Sequence, residues 1–192
     1  MKQLIPAVLL LLTFTPSIFA APTVEQMVNE IEPQVIKWRH HLHQNPELSN
    51  REFETAKYIT KHLKSLGLDV QTGVAITGVV AVLDSGKPGP VVALRADMDG
   101  LPVLEQSDLP WKSTQRGELE GNDVPVMHAC GHDTHVAMLM GAAEILVNMK
   151  SQLRGKVKFI FQPAEEGAPR GEKGGAELMV KEGVLSNPKV DV

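Results

Sequence analysis

The chain has 192 residues, a hydrophobic fraction of 43%, a charged fraction of 22% and a formal net charge of −4. These values are typical of a folded globular protein and exclude a chain that is disordered throughout. The sequence contains no basic cluster or long run of like charges, so we expect no nucleic-acid partner.

Residues 1–20 have the layout of a secretory signal peptide. Lys2 precedes an almost wholly apolar stretch (5–19), and the small residues Ala20 and Ala21 follow it. The alternative is an uncleaved membrane anchor, but the stretch is shorter than the ~20 residues that a spanning helix needs. We therefore predict cleavage after Ala20, export to the periplasm or the extracellular space, and no stable membrane insertion.

The rest of the chain alternates helical and strand patterns. The predicted elements are a helix over 24–42, a helix over 51–66, strands over 79–83 and 91–94, a loop or short hairpin over 106–123, a helix over 134–149, a strand over 156–161 and a helix over 175–181. Pro33 should kink or restart the first helix. Ser49 and Glu52 have capping-box spacing at the second helix, and Gly67 should end it. The order predicts an α/β fold, a three-layer sandwich on a largely parallel or mixed sheet.

Three polar segments lie where a predicted strand ends or a predicted helix begins. Residues 95–102 follow the second strand, residues 127–135 precede the long helix, and residues 161–167 end the third strand. Sites in open α/β sheets form outside the carboxyl ends of the strands, so these segments should converge on one crevice.

Cys130 is the only cysteine of the chain. In an exported protein a lone cysteine could be a buried structural thiol, an intermolecular bridge or a metal ligand. His132 stands two residues away, and thiolate and imidazole groups are good ligands for zinc and related metals. The pattern favours a ligand pair, although Cys-x-His is short and forgiving.

Carboxylates are found in both neighbouring segments. Glu165 and Glu166 should point opposite ways in an extended backbone, so one could bind a metal while the other faces a metal-bound water as general base. Considered alone, such a pair is more often a solvated acidic loop. Asp97 and Asp99 should point to the same side, where either could bind a metal, orient a ligand histidine or cap the loop.

Three histidines also lie together near the end of the first predicted helix. They are His40, His41 and His43. At the polar end of an amphipathic helix, histidines are more often surface or capping groups than metal ligands.

Taken together, these motifs resemble the M20 metallopeptidases and, within them, the amidohydrolase branch. This branch includes hippurate hydrolases, N-acyl-amino-acid amidohydrolases and the auxin-conjugate hydrolases of plants. The matching motifs are residues 39–49, 95–102, 128–133, 162–166 and 174–176. The resemblance covers residues 31–192, and the motifs stand in the order of the family.

The resemblance implies a role for each matching residue. Cys130, His132 and Glu166 would be metal ligands, Glu165 the general base and acid, and Asp99 a support of the metal site. The role of Asp97 stays open, since other branches of the family place a ligand histidine there. Two divalent ions are implied, zinc or manganese, with cobalt or nickel in some members. The substrate would be an N-acyl or N-aroyl amino acid or a short peptide.

The resemblance also implies that residues 21–192 are the N-terminal part of a metallopeptidase catalytic domain. A dimerisation or lid domain and a C-terminal catalytic segment, with two further ligand histidines, would be absent. We therefore expect residues 1–192 alone to be poorly stable and inactive, and the full-length protein to form a homo-oligomer. The alternatives are an M20-type dipeptidase or carboxypeptidase and a non-catalytic ligand-binding relative. Cys130, in place of the more usual aspartate, favours the amidohydrolase branch.

Overall fold

A computed structural model describes residues 21–192, so the predicted signal peptide lies outside the described residues and stays a prediction. The helices are α1 (Val24–Gln44), α2 (Phe53–Ser65), α3 (His132–Asn148) and α4 (Gly175–Lys181). The strands are β1 (Asp69–Val74), β2 (Gly78–Asp84), β3 (Val91–Asp97), β4 (Arg116–Leu119), β5 (Asn122–Pro125) and β6 (Lys156–Gln162). Within this part of the chain, no helix combines the length and the apolar character needed to cross a membrane.

The main sheet has the strand order β1-β2-β6-β3. The β1–β2 and β2–β6 pairs are antiparallel, and the β3–β6 pair is parallel. The mixed sheet is therefore confirmed, and a largely parallel one is not observed. β4 and β5 form a separate hairpin at the end of the segment where a loop or short hairpin was predicted.

Strand β1 was not predicted, because its sequence is mostly polar and its side chains are mostly exposed. It lies at the edge of the sheet and pairs only with β2. An edge strand needs few buried side chains, so it leaves little hydrophobic signal in the sequence.

Both faces of the sheet are covered, which confirms the three-layer arrangement. Side chains alternate along β6, so Phe159 and Phe161 pack with α1, α2 and α3, whereas Ile160 packs on the opposite face. On that second face Ile160 belongs to a smaller cluster with Met179 of α4 and Val184. Core residues on the first face include Trp38, Leu42, Ile59, Leu63, Val136 and Met140.

Helix α1 begins with a capping box at Thr23 and continues through Pro33 without a restart, contrary to one of our expectations. Gly67 follows the end of α2 with a φ of 77°, which confirms its predicted place as a helix stop.

The predicted capping box at Ser49 and Glu52 is wrong. Helix α2 begins at Phe53, and its cap residue Glu52 makes no side-chain capping bond. The carboxylate of Glu47 accepts the free amides of Glu54 and Thr55 instead, at 3.1 and 2.8 Å. Ser49 and Glu52 face the interior, where both serve the site described next.

Candidate metal centre

The carboxyl ends of β3 and β6 lie side by side, because these two strands are parallel neighbours. Asp97 pairs with Gln162 at the end of the ladder, and the amide of Met98 donates to the Gln162 carbonyl oxygen at 3.0 Å. The loops after both strands therefore start at one edge of the sheet. Helix α3 packs against both strands, and its first turn reaches the same edge.

Three potential ligand atoms from these segments meet there. Cys130 Sγ, a ring nitrogen of His132 and a carboxylate oxygen of Glu166 all lie within 4.8 Å of one another. His132 Nε2 is 3.9 Å from Glu166 Oε1. Ligand atoms around a four-coordinate zinc ion lie about 3.3–3.8 Å apart, given bond lengths of ~2.0–2.3 Å. The sulfur, nitrogen and oxygen set therefore fits a transition-metal ion after a small contraction.

Asp99 fixes the orientation of the His132 ring. The backbone oxygen of Asp99 lies 2.9 Å from His132 Nδ1, and the Oδ1 atom of Asp99 lies 3.3 Å from the same nitrogen. With acceptors on the Nδ1 side, the neutral ring keeps its proton on Nδ1, so that Nε2 carries the lone pair toward the ligand cluster once a cation has displaced its proton. Asp99 is itself held, since its Oδ2 accepts from the Ser49 hydroxyl at 2.7 Å and from the Glu166 amide at 3.0 Å.

Hydrogen bonds and charges within this cluster shift the pKa values of His132, Asp99 and Cys130. Burial opposes protonation of His132, but hydrogen bonding to Asp99 and the charge of that carboxylate raise the pKa of His132 to about 9. Burial likewise opposes ionisation of Asp99, but hydrogen bonds from His132, Ser49 and the loop amides lower its pKa. Hydrogen bonding to Glu166 and the negative charge of Glu166 raise the pKa of the Cys130 thiol. This concentration of negative charge would be neutralised by a bound cation.

Glu165 lies beside the ligand cluster. Its Oε2 is 3.6 Å from His132 Nε2, and its side chain is 39% exposed. The extended backbone that we expected for Glu165 and Glu166 is not observed, because the chain bends here after Ala164, whose φ is 49°. Both carboxylates lie near the same ring nitrogen, at 3.6 and 3.9 Å.

Comparison with known proteins gives the family. A sequence profile described as peptidase family M20/M25/M40 matches residues 93–192. The chain belongs to this peptidase family. The M20 resemblance of the sequence motifs is thereby confirmed.

Individual relatives agree with this assignment to M20. The chain is 49% identical over 160 residues to thermostable carboxypeptidase 2 of Saccharolobus solfataricus, covering 83% of this chain and 38% of that protein. It is 43% identical over 169 residues to an N-acyl-L-amino acid amidohydrolase of Geobacillus stearothermophilus, covering 88% of this chain and 42% of that protein. The chain thus spans less than half the length of each of these relatives.

A solved structure of an M20 protein also resembles this chain. The YXEP protein of Bacillus subtilis, described as a dinuclear metal binding peptidase from the M20 family, has a TM-score of 0.71 and 39% identity. The match covers 82% of this chain and 40% of that one.

Asp97 also lies near His132. Ligand atoms of Asp97, His132 and His135 form a second group within 4.8 Å of one another. Asp97 also pairs with Arg95 at 2.9 Å and lies 3.5 Å from His135 Nδ1. Asp97 and Asp99 both lie within reach of His132, and the role of Asp97 stays open.

Of the three histidines in α1, two stack on aromatic rings, His40 on Trp111 and His41 on Tyr58. His43 differs, because it is buried between two carboxylates and is not the surface or capping group that we expected. Its Nδ1 is 2.9 Å from Asp133 and its Nε2 is 3.2 Å from Glu105. Since Asp133 follows His132, this contact ties α1 to the first turn of α3 beside the M20 site.

Sequence reasoning also missed the environment of His128. This residue is buried, and neither ring nitrogen has a hydrogen-bond partner among residues 21–192. Burial lowers the pKa of His128 to about 4, so the ring is neutral near pH 7. Its position two residues before Cys130 was the only signal that the sequence offered.

Proposed function

We propose that this chain forms part of a metal-dependent amidohydrolase that cleaves the amide bond of N-acyl or N-aroyl amino acids. The observation that carries the proposal is the meeting of Cys130, His132 and Glu166 with Glu165 beside them. The relative named as an N-acyl-L-amino acid amidohydrolase supports the substrate class.

The proposed ligands are Cys130, His132 and Glu166. Thiolate, imidazole and carboxylate groups together suit zinc, and manganese, cobalt or nickel would also be accommodated. The dinuclear relative supports two cations. Divalent cations bound at this site supply Lewis acidity, which polarises an amide carbonyl and lowers the pKa of a water molecule.

Asp99 has a supporting role in this proposal. It holds the His132 ring at Nδ1 and the Glu166 amide through its own carboxylate, so one residue sets the position of two ligands. Because Asp99 is only 1% exposed, it does not touch substrate, and its contribution is orientation.

Glu165 is the proposed general base and acid. Its carboxylate is accessible from solvent, and it lies next to the ligand cluster without being buried in it. From this position it can take a proton from the attacking water and later give that proton to the nitrogen of the leaving amine.

A substitution of the base tests the proposal in the protein encoded by the complete reading frame. We expect Glu165→Gln to lower kcat by about 100- to 10,000-fold, the usual contribution of a general base. The cation content, measured by mass spectrometry of the purified protein, should not change. Glu166→Gln is the matched comparison, since it should lose bound cation as well as activity. Turnover by Glu165→Gln at the wild-type rate would refute the assignment of the base.

A carboxypeptidase is the second candidate, because a relative of that name is 49% identical to the chain. The two candidates differ in the group that they accept on the amide carbonyl. We expect kcat/KM for N-acetyl and N-benzoyl amino acids to exceed that for dipeptides with the same C-terminal residue. A preference for the dipeptides would favour the carboxypeptidase.

A further inference from the structure

Four consecutive residues between α1 and α2 bind the loop that follows β6. We name residues 49–52 the anchoring segment, and residues 163–173, which include Glu165 and Glu166, the ligand loop. Ser49 reaches the ligand loop through Asp99, whereas the other three side chains of the anchoring segment bind it directly.

Glu52 binds the first turn of the ligand loop. Its Oε1 accepts the Ala164 amide at 2.9 Å, and its Oε2 accepts the Thr77 hydroxyl at 2.6 Å. Glu52 is 0% exposed, so it cannot touch a substrate. Burying a carboxyl group is costly for folding unless it is hydrogen-bonded, and an apolar side chain here would leave the buried Ala164 amide without its acceptor. The buried Glu52 therefore contributes through Ala164.

Ala164 has a strained backbone at the point where the chain turns toward the metal centre. Its φ of 49° lies in the left-handed region, which is unfavourable for a residue with a side chain. The turn comes immediately before Glu165 and sends both glutamates toward His132 Nε2, at 3.6 and 3.9 Å. A hydrogen bond that holds the Ala164 amide therefore also holds the direction of the two carboxylates.

The far end of the ligand loop is held by the same segment. Arg51 pairs with Glu172 through two bonds, at 2.6 and 3.1 Å. Asn50 is 0% exposed and donates to Glu172 and to the Lys173 carbonyl oxygen, both at 3.0 Å. The ligand loop is thus attached on both sides of its glutamate pair, and the attachment at Ala164 comes directly before the pair, whereas Asp99 holds the Glu166 amide within it.

We propose that Glu52 is a positioning residue that holds Ala164 in its left-handed turn and thereby places Glu165 and Glu166 at the metal centre. The inference rests on the roles that the proposed function gives to these two glutamates. Glu52 acts only through the backbone, and neither substrate nor cation contacts it.

The chain contains a matched control for this contact. Ala75 also has a φ of 49°, and its amide donates to a carboxylate oxygen of Glu182 at 2.7 Å. That bond lies at the start of the turn between β1 and β2 and makes no direct contact with the ligand loop, although Thr77 at the end of the same turn binds Glu52. Glu182→Met and Glu52→Met therefore each remove a carboxylate from a left-handed alanine, and only one of these alanines precedes the proposed base.

The experiment compares Glu52→Met, Glu52→Gln and Glu182→Met in the metal-loaded protein encoded by the complete reading frame. Methionine keeps the length of the side chain but has no strong acceptor, whereas glutamine keeps an acceptor for the Ala164 amide. We expect Glu52→Met to lower kcat by about 10- to 100-fold with little change in KM, because the base is misplaced while substrate binding persists. Glu52→Gln and Glu182→Met should stay within about threefold of the wild type.

Hydrogen–deuterium exchange of the peptide covering residues 162–168 gives a readout that does not depend on turnover. Exchange should be about tenfold faster in Glu52→Met and unchanged in the other two variants. Unchanged exchange in Glu52→Met, equal losses of kcat in the two methionine variants, or a Glu52→Gln variant as impaired as Glu52→Met would each overturn the proposal.

If Glu52→Met does not fold, Thr77→Val removes only the hydroxyl that orients Glu52. The same pattern is then expected with a smaller amplitude, and wild-type exchange in Thr77→Val would count against positioning. Failure of the proposed function is recognised separately, because an inactive wild type still reports on the loop by exchange. Accelerated exchange without any amidase activity would support the positioning contact and reject the proposed reaction.

Discussion

The buried carboxyl group of Glu52 should make a distinct contribution to the pH dependence of the free energy of unfolding. Burial raises the pKa of Glu52 to about 7, against the opposing effect of the hydrogen bonds from Thr77 and Ala164, while its ordinary value is 4.5. The folded protein therefore holds a proton on Glu52 at pH values where the unfolded chain has already released it. We expect Glu52→Gln, which cannot ionise, to abolish this dependence.

The magnitude follows from the two pKa values. The interval from 4.5 to about 7, at about 1.36 kcal/mol for each pH unit, corresponds to about 3 kcal/mol. Because the pKa is higher in the folded state, this stabilisation is fully present below pH 4.5 and is lost as the pH rises through about 7. The wild type should therefore lose about 3 kcal/mol over this range relative to Glu52→Gln.

Urea unfolding of both proteins, followed by circular dichroism from pH 4.5 to 8.5, measures this difference. All other titrating groups are common to both proteins, so their contributions cancel when the free energies are subtracted. Glu182→Gln controls for the loss of a carboxylate that also accepts an alanine amide. A difference between wild type and Glu52→Gln that stays constant across the whole range would refute the reasoning.

Two further predictions concern a buried lysine and the lone thiol. Lys158 is 1% exposed and its Nζ donates to the carbonyl oxygens of Val184, Asn187 and Pro188, at 2.5, 2.9 and 3.1 Å. Lys158→Met should lower the free energy of unfolding by about 2–4 kcal/mol in urea titrations, because it leaves these acceptors unpaired. Lys156 is more exposed and serves as the control. A loss in Lys158→Met no larger than that in Lys156→Met would contradict the prediction. Cys130 is exposed, so iodoacetamide should alkylate it in the presence of EDTA, at an alkaline pH because its raised pKa disfavours the thiolate, and zinc or manganese should slow the reaction. The protection should disappear in His132→Ala, and equal protection in that variant would mean that His132 does not share the cation.

Local sequence patterns predicted the features that depend on near neighbours. Helical periodicity located α3 and gave the bounds of α4, and Gly67 marked the stop of α2 because a left-handed residue is needed there. The segments around Asp99, Cys130 and Glu166 were also recognised as one candidate site. Their convergence follows from a general property of α/β sheets, since loops after parallel neighbouring strands leave at the same edge.

The sequence alone determined which residue types were available for a metal centre, whereas only the tertiary structure decided how they are held. Ser49 had a capping-box spacing with Glu52, yet its hydroxyl binds Asp99, which is 50 positions away. Glu52 binds an amide 112 positions away. These hydrogen-bond partners depend on which polar groups are buried together when the helices pack on the sheet. Most buried polar groups are hydrogen-bonded, and packing determines which partner lies within reach. No local pattern contains that information.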